Sequence, residues 1–139
     1  GLSPRLLARS DAAVVRGLWR RWSPTWAFTD EDFAPTREVF VDQERGWATT
    51  RYYRSIFTAN RAHTREFFRS ASTDYPVDVP TLALAGENDG CMSVEFHAAM
   101  NQQHPQIDVV VVPDCGHFLH AERPDIVADE LLKHLKRHQ

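Results

Sequence analysis

Two short apolar runs near the C-terminal end constrain the fold of this chain most strongly. The first runs from Thr81 to Ala85 and the second from Ile107 to Val112, and neither alternates apolar with polar residues. Such runs are typical of parallel strands that are covered on both faces. A helical stretch from Ser93 to Gln103 separates them, and Arg123-Pro124-Asp125 opens a final helix with proline in its first turn. This alternation predicts a βαβα unit of a parallel α/β sheet.

An acid and a histidine stand just past these two runs. The first run continues as Gly86-Glu-Asn-Asp89-Gly, and the second as Pro113-Asp-Cys-Gly-His117-Phe. A nucleophile needs such a pair behind it, because the acid fixes the histidine tautomer and the histidine takes the proton. We therefore predict that Asp89 and His117 are catalytic. The alternative is a surface turn aspartate and a loop histidine.

Length and charge bound the possible partners. At 139 residues the chain has the length of one ordinary domain. Its formal net charge is -3 and no block of like charges appears, so neither nucleic acid nor a membrane is an expected partner. No apolar run approaches the roughly 20 residues of a membrane span, and the first residues do not follow the pattern of a signal peptide. We expect a cytoplasmic protein that acts on a small-molecule substrate.

The predicted sheet is too small to stand alone. Two parallel strands would leave apolar faces and an open edge uncovered. Residue 1 is glycine rather than methionine, which fits a processing site or a cut inside something longer. We expect a missing N-terminal portion of the core, on the same or a second chain, and a possible homodimer formed through the open edge.

The N-terminal half is predicted to be helical. Ser10 or Asp11 caps a first helix, which Ser23-Pro24 stops. Thr29 and the acidic residues that follow it cap a second helix, because they satisfy and complement the free N–H groups of its first turn. Pro35 is expected to shorten or kink this second helix.

A third helix is expected from about Trp47 to Ala59, after Gly46 has loosened the chain. The predicted organisation is a helical segment over residues 1–70, a connector over 71–79 and the strand-containing part over 80–139.

The two cysteines lie close in sequence to the acid and the histidine. Cys91 follows Asp89 by two positions, and Cys115 precedes His117 by two. Two cysteines do not suggest a secreted disulfide framework. The favoured interpretation is two small semi-buried thiols. The alternatives are a disulfide, a redox role, or a zinc site completed by His117 and His120.

The C-terminal motifs are similar to the last third of an α/β-hydrolase. The resemblance is carried by Pro80-Thr-Leu-Ala-Leu-Ala-Gly-Glu-Asn-Asp89-Gly and by Pro113-Asp-Cys-Gly-His117-Phe-Leu-His-Ala-Glu122-Arg-Pro124. In that family the acid follows a late strand, the histidine lies in a Gly-His loop after the last strand, and a Glu-Arg-Pro turn leads into the closing helix. The resemblance implies that Asp89 orients His117 and that His117 is the base. Glu122 is expected to stabilise the turn rather than to catalyse.

The helical segment resembles the lid of family members related to epoxide hydrolases, haloalkane dehalogenases and small esterases. The similar residues are Leu18-Trp-Arg-Arg-Trp22-Ser-Pro-Thr-Trp26 and Tyr52-Tyr53-Arg54. The implied fold is a helical lid followed by the last βαβα unit of a mostly parallel α/β-hydrolase sheet. Core and lid packing is the favoured role of the aromatic residues here, with one or two of them facing the pocket. The alternative for the tyrosines is that a lid hydroxyl polarises an epoxide oxygen. The predicted substrate-binding residues are Trp22, Trp26, Tyr52, Tyr53 and Phe118.

One part of the family pattern is missing from the sequence. The nucleophile of such enzymes lies on a sharp G-x-S-x-G turn, or on its aspartate equivalent, but here the glycines at that spacing, Gly86 and Gly90, enclose Asn88. The resemblance therefore implies a C-terminal portion that supplies acid and histidine for hydrolysis of a small apolar ester, epoxide or related substrate. The nucleophile would lie outside this chain, and neither a cofactor nor a metal is expected. The competing interpretation is a non-catalytic binding or assembly protein that retains half of the fold.

Overall fold

A computed structural model describes residues 4–58, 65–66 and 79–138. Its elements, in chain order, are α1 (Pro4–Trp22), α2 (Asp30–Val41), α3 (Gln43–Thr58), β1 (Thr81–Gly86), α4 (Val94–Gln103), β2 (Ile107–Val112), α5 (Leu119–Glu122) and α6 (Pro124–Arg137). None of the helices in the described ranges is long and apolar enough to cross a membrane.

The chain forms two compact units. One contains Gly1–Leu18 and Phe28–Tyr75, and the other contains Trp19–Ala27 and Pro76–Gln139. The segment Trp19–Ala27, which the sequence places inside the helical lid, therefore groups with the strands. The predicted domain boundaries, a helical segment to residue 70 and a strand-containing part from residue 80, stay a prediction. Trp19–Ala27 contains residues of the site described below.

The first unit has a few fully buried side chains. Phe33 of α2 is fully buried, and Leu7 and Val15 of α1 belong to the same buried set. The guanidinium of Arg16 lies 4.6 Å from the Phe33 ring centroid and forms an ion pair with Asp30. The Arg16 guanidinium therefore covers part of an aromatic side chain that a short helix could not bury alone.

Helix α2 begins where the sequence predicts. Thr29 Oγ1 accepts a hydrogen bond from the Asp32 amide, and the Asp32 carboxylate accepts from the Thr29 amide at 2.7 Å. This reciprocal capping box satisfies two amide groups that the first turn leaves unpaired. Pro35 lies inside α2 without ending it, since a proline in the second turn removes only one intrahelical donor.

Helical structure in α1 begins at Pro4, earlier than predicted, but the backbone leaves the right-handed helical region at Arg9–Ala12. The helix that runs from this break to Trp22 begins close to the predicted caps, Ser10 and Asp11. Helix α3 begins at Gln43, before Gly46, because Asp42 caps it by accepting from the Glu44 amide at 2.9 Å and the Arg45 amide at 3.1 Å.

The second unit has the predicted βαβα order. Strands β1 and β2 are parallel neighbours, paired from Thr81 with Ile107 through to Gly86 with Val112. Helix α4 crosses between them, and α6 opens with Pro124 in its first turn. The fully buried residues are few: Ala85, Ile107, Val112 and Cys115 supply most of the apolar core of this unit.

Much of the apolar surface of the second unit remains exposed. Leu132 and Leu135 of α6 are 52% and 56% exposed, and Val111 of β2 is 39% exposed. Helix α6 has the amphipathic pattern expected of a helix that covers a sheet, yet the described sheet has two strands. The structure thus has the uncovered faces that so small a parallel sheet is expected to leave.

The capping box of α2 gives a direct stability test. We expect Thr29→Ala to lower the free energy of unfolding by about 1 kcal/mol, because Ala cannot accept from the Asp32 amide. Thr29→Ser keeps the acceptor and should stay close to the wild type. Urea unfolding followed by circular dichroism measures both, and equal losses in the two variants would contradict the capping role.

Candidate functional site

The parallel register brings the ends of the two strands to one edge of the sheet. Directly after Gly86, the Glu87 amide donates to the Val112 carbonyl at 2.9 Å, and the Asn88 amide donates to the Cys115 carbonyl at 2.8 Å. The loop after β1 is therefore hydrogen-bonded to the loop after β2. This pairing brings the residues that follow, Asp89 and His117, within reach of each other.

Asp89 is held at both carboxylate oxygens. Its Oδ2 lies 2.9 Å from His117 Nδ1, and its Oδ1 accepts from the amides of Cys91 at 2.6 Å and Met92 at 3.0 Å. Only 5% of the side chain is exposed. Burial raises the pKa of the carboxyl, but the hydrogen bonds from His117, Met92 and Cys91 outweigh it and leave the pKa below its ordinary value. The group is thus an ionised acceptor at neutral pH.

This arrangement determines the tautomer of the histidine. An ionised carboxylate only accepts hydrogen bonds, so Nδ1 of His117 must donate to Asp89. In the neutral ring the proton is then on Nδ1, and Nε2 has a free lone pair. The His117 side chain is 29% exposed, so it is not sealed in the core. Its ring can accept a proton at Nε2 while Asp89 stabilises the resulting imidazolium.

The carbonyl of Trp22 connects the two loops. It accepts from the Gly90 amide at 3.0 Å and from the His117 amide at 3.1 Å. The close approach requires glycine, because a Cβ at Gly90 would collide with the Arg21 carbonyl and one at Gly116 would lie 2.7 Å from Ser23 Oγ. The backbone at Trp22 and Ser23 therefore forms a strap against both the acid loop and the histidine loop.

Glu122 organises the histidine loop from the other side. Its Oε2 accepts from the Gly116 amide at 3.0 Å and from Thr25 Oγ1 at 2.9 Å, and its Oε1 accepts from the Phe118 amide at 3.3 Å. The Phe118 amide also donates to the fully buried Ser23 hydroxyl at 3.1 Å. The amides on both sides of His117 thus have fixed acceptors, which holds the backbone that carries the imidazole.

Aromatic rings surround the histidine. The Trp22 and Phe118 rings each lie 5.3 Å from the His117 ring in edge-on geometry. Trp19 stacks on Trp26 at 5.2 Å and lies 4.8 Å from Phe118. Of the five predicted substrate-binding residues, Trp22 and Phe118 therefore lie beside the predicted base, and the Trp26 ring lies 5.9 Å from the Phe118 ring.

The remaining residues singled out in the sequence lie in different parts of the structure. Tyr52 and Tyr53 lie on α3, but their side chains are outside the described part of the chain. His120 is exposed on α5. Both cysteines are free thiols, Cys91 exposed and Cys115 buried, so the alternative of a disulfide does not hold in this structure.

Neither thiol is activated. Burial, and then the nearby Glu122 charge, raises the pKa of Cys115 to about 11, while burial and the Asp89 charge also raise the pKa of Cys91. Thiols with raised pKa values are poor nucleophiles and poor metal ligands at neutral pH. Among the described residues the ligand atoms that gather are those of Asp108, His134 and His138, and not those of Cys91, Cys115, His117 and His120.

The sequence matches the alpha/beta hydrolase family over residues 1–130. The chain belongs to this family. A stretch of 60 residues is 30% identical to the sn-1-specific diacylglycerol lipase ABHD11 of mouse (Mus musculus), covering 43% of this chain and 20% of the lipase. The crystal structure of an aCif variant superposes with a TM-score of 0.73 at 18% identity, over 95% of this chain and 40% of that chain. The chain thus spans about a fifth and two fifths of the lengths of these proteins.

The chain order of Asp89 and His117 fits membership of this family. The acid after β1 and the histidine after β2 follow the order that α/β-hydrolases use after their nucleophile. The alpha/beta fold predicted from the sequence is confirmed. What the sequence did not reveal is the role of the Trp22–Ser23 strap. Its only local signal is a Ser-Pro pair that ends a helix, and a helix stop does not indicate which loops will pack against it.

Glu122 provides a test of how the histidine loop is held. In Glu122→Gln one carboxylate oxygen becomes an amide NH₂ and faces an N–H or O–H donor. We expect the unfolding free energy to fall by about 1 to 3 kcal/mol. Asp129→Asn, which removes an exposed charge from α6, should change it by less than about 0.5 kcal/mol. Chemical unfolding measures the unfolding free energy of both variants. Equal losses in the two would contradict the role of Glu122 in holding the histidine loop.

Asp89 predicts a pH dependence of stability. Because its pKa is lowered in the folded state, it stabilises the fold above the unfolded pKa, roughly 3.9 for aspartate, and this contribution disappears as the pH falls through the lower, folded-state pKa. The difference in unfolding free energy between wild type and Asp89→Asn should therefore shrink as the solution is acidified below about pH 4. If the difference in unfolding free energy stayed constant across the acid range, it would contradict a lowered pKa of Asp89 in the folded state. Asp129→Asn is the charge-matched control.

Proposed function

We propose that Asp89 and His117 are the acid and base of a hydrolytic triad that acts on a small apolar ester, epoxide or related substrate. The observation that carries the proposal is the 2.9 Å contact between Asp89 Oδ2 and His117 Nδ1, with Asp89 Oδ1 bound by two backbone amides. Because Oδ1 is bound by the two amides, Asp89 presents Oδ2 to His117 Nδ1. Nε2 of His117 is then left as the proton acceptor.

The proposed chemistry is proton transfer at Nε2 of His117. With a serine nucleophile, Nε2 takes the hydroxyl proton as the serine attacks the ester carbonyl and then gives it to the leaving alcohol. With an aspartate nucleophile, Nε2 takes a proton from the water that hydrolyses the covalent ester intermediate. In both cases Asp89 stabilises the imidazolium without itself being protonated.

The nucleophile and the oxyanion hole are proposed to come from residues outside this sequence. The 139 residues contain no G-x-S-x-G turn or aspartate equivalent, so the acid and base need a core portion on the same or a second polypeptide. The exposed apolar side chains of α6 and β2 are consistent with such a portion. The aromatic side chains of Trp22 and Phe118 beside His117, and of Trp26 next to Phe118, favour an apolar substrate, because they offer few polar groups to it.

The decisive activity test uses the complete natural reading frame that contains these residues. It should hydrolyse short p-nitrophenyl esters or a styrene-type epoxide, and Asp89→Asn should lower kcat by about 10⁴, because loss of the acid reverses the tautomer. His117→Ala should lose activity to a similar or greater degree, whereas His120→Ala, an exposed histidine three residues away, should stay close to the wild type.

The outcome also separates the two function classes. A complete reading frame without a nucleophile turn, and without hydrolytic activity, would refute the triad and favour a binding or assembly protein that retains this half of the fold. Labelling by a fluorophosphonate would assign a serine nucleophile. Epoxide turnover without labelling would assign an aspartate.

A further inference from the structure

A second group of chemically active side chains lies at the other end of the sheet. Asp108 is the second residue of β2, whereas Asp89 and His117 follow the carboxyl ends of the strands. His134 and His138 are four residues apart on and just after α6, and their rings are 4.7 Å apart. One ligand atom from each of Asp108, His134 and His138 lies within 4.8 Å of the others.

One buried atom of this group has no hydrogen-bond partner. His134 Nδ1 is buried, and in the described part of the chain it is the buried side-chain nitrogen or oxygen that makes no hydrogen bond. Asp108 Oδ2 lies 3.7 Å from this atom, which is too long for a hydrogen bond. A buried polar atom without a partner is costly, and a bound metal ion is one of the explanations that such an atom requires.

We propose that Asp108, His134 and His138 bind a divalent first-row transition metal ion of the Zn²⁺ type. Two imidazoles one helical turn apart, joined by a carboxylate from a neighbouring strand, are a donor set that such ions prefer to Mg²⁺ or Ca²⁺. Tetrahedral ligands at about 2.0 to 2.2 Å from zinc are roughly 3.4 Å apart. The group closes to that spacing by rotation of Asp108 and His138, which are not buried. The fourth position is left to water.

Two local features affect how tightly the site would bind a metal ion. The C-terminal end of α6 carries the negative end of the helix dipole, which favours a cation beside His138. Opposing this, Arg137 Nη1 lies 3.2 Å from Asp108 Oδ2 and competes for the same carboxylate. The Arg137 side chain is 54% exposed, so it can rotate into solvent when a metal ion binds. The ion pair therefore weakens metal binding without preventing it.

The group also borders a cleft. Asp108 and Arg137 line it together with apolar and amide side chains of α4 and β2, namely Ala98, Asn101, Gln102, Val109 and Val110. The site is separate from the proposed triad, so the expectation that triad chemistry needs no metal does not bear on it.

The test is equilibrium binding to the chain at neutral pH, with Zn²⁺ followed by calorimetry and Co²⁺ by visible absorption. We expect saturable binding of one ion per chain. Both Asp108→Asn and His138→Gln should weaken it by at least about tenfold, and both positions are exposed enough for the fold to survive, as circular dichroism should verify. Arg137→Gln should strengthen binding, because it frees Asp108 and removes a positive charge. His120→Gln, a histidine outside the group, should bind like the wild type.

Two results would overturn the proposal. One is a wild-type chain that binds neither ion. The other is binding that Asp108→Asn, His138→Gln and Arg137→Gln all leave unchanged, since that would assign the ion to other histidines of the chain.

Discussion

The parallel pairing of β1 with β2 is the constraint on which the rest of the site depends. Because Gly86 lies opposite Val112, both strands end at the same level and their loops leave the sheet side by side. The Glu87 and Asn88 amides then close hydrogen bonds to the Val112 and Cys115 carbonyls. A shift of one residue in this register would turn the side chains of one strand to the opposite face and would separate the acid from the histidine.

The strands and helices could be predicted where local sequence signals dominate. The run from Ile107 to Val112 gives β2 its bounds, and Thr29 followed by Asp32 gives the start of α2, because a side-chain cap is a local hydrogen bond. The predicted start of α3 was wrong. Asp42 stabilises an earlier start through two amides, and one glycine inside a helix costs only about 1 kcal/mol.

The candidate site was predictable only in part, because some of its contacts join residues that are far apart in sequence. Asp89 and His117 each stand in a strand-end motif that can be identified from neighbouring residues. The strap at Trp22 and Ser23 lies more than 60 positions away in sequence, and its contribution is made by a backbone carbonyl and a buried hydroxyl. A main-chain acceptor has no residue-specific signature, so its partners become visible only when the fold is known.

Asp89 fixes His117 with its proton on Nδ1. In Asp89→Asn the amide oxygen is needed by the Cys91 and Met92 amides, so the NH₂ group would face Nδ1 and move the ring proton to Nε2. Long-range ¹H–¹⁵N NMR of the imidazole measures this directly. We expect a protonated Nδ1 and an unprotonated Nε2 in the wild type at mildly alkaline pH, and the reverse in Asp89→Asn. The same tautomer in both proteins would contradict it.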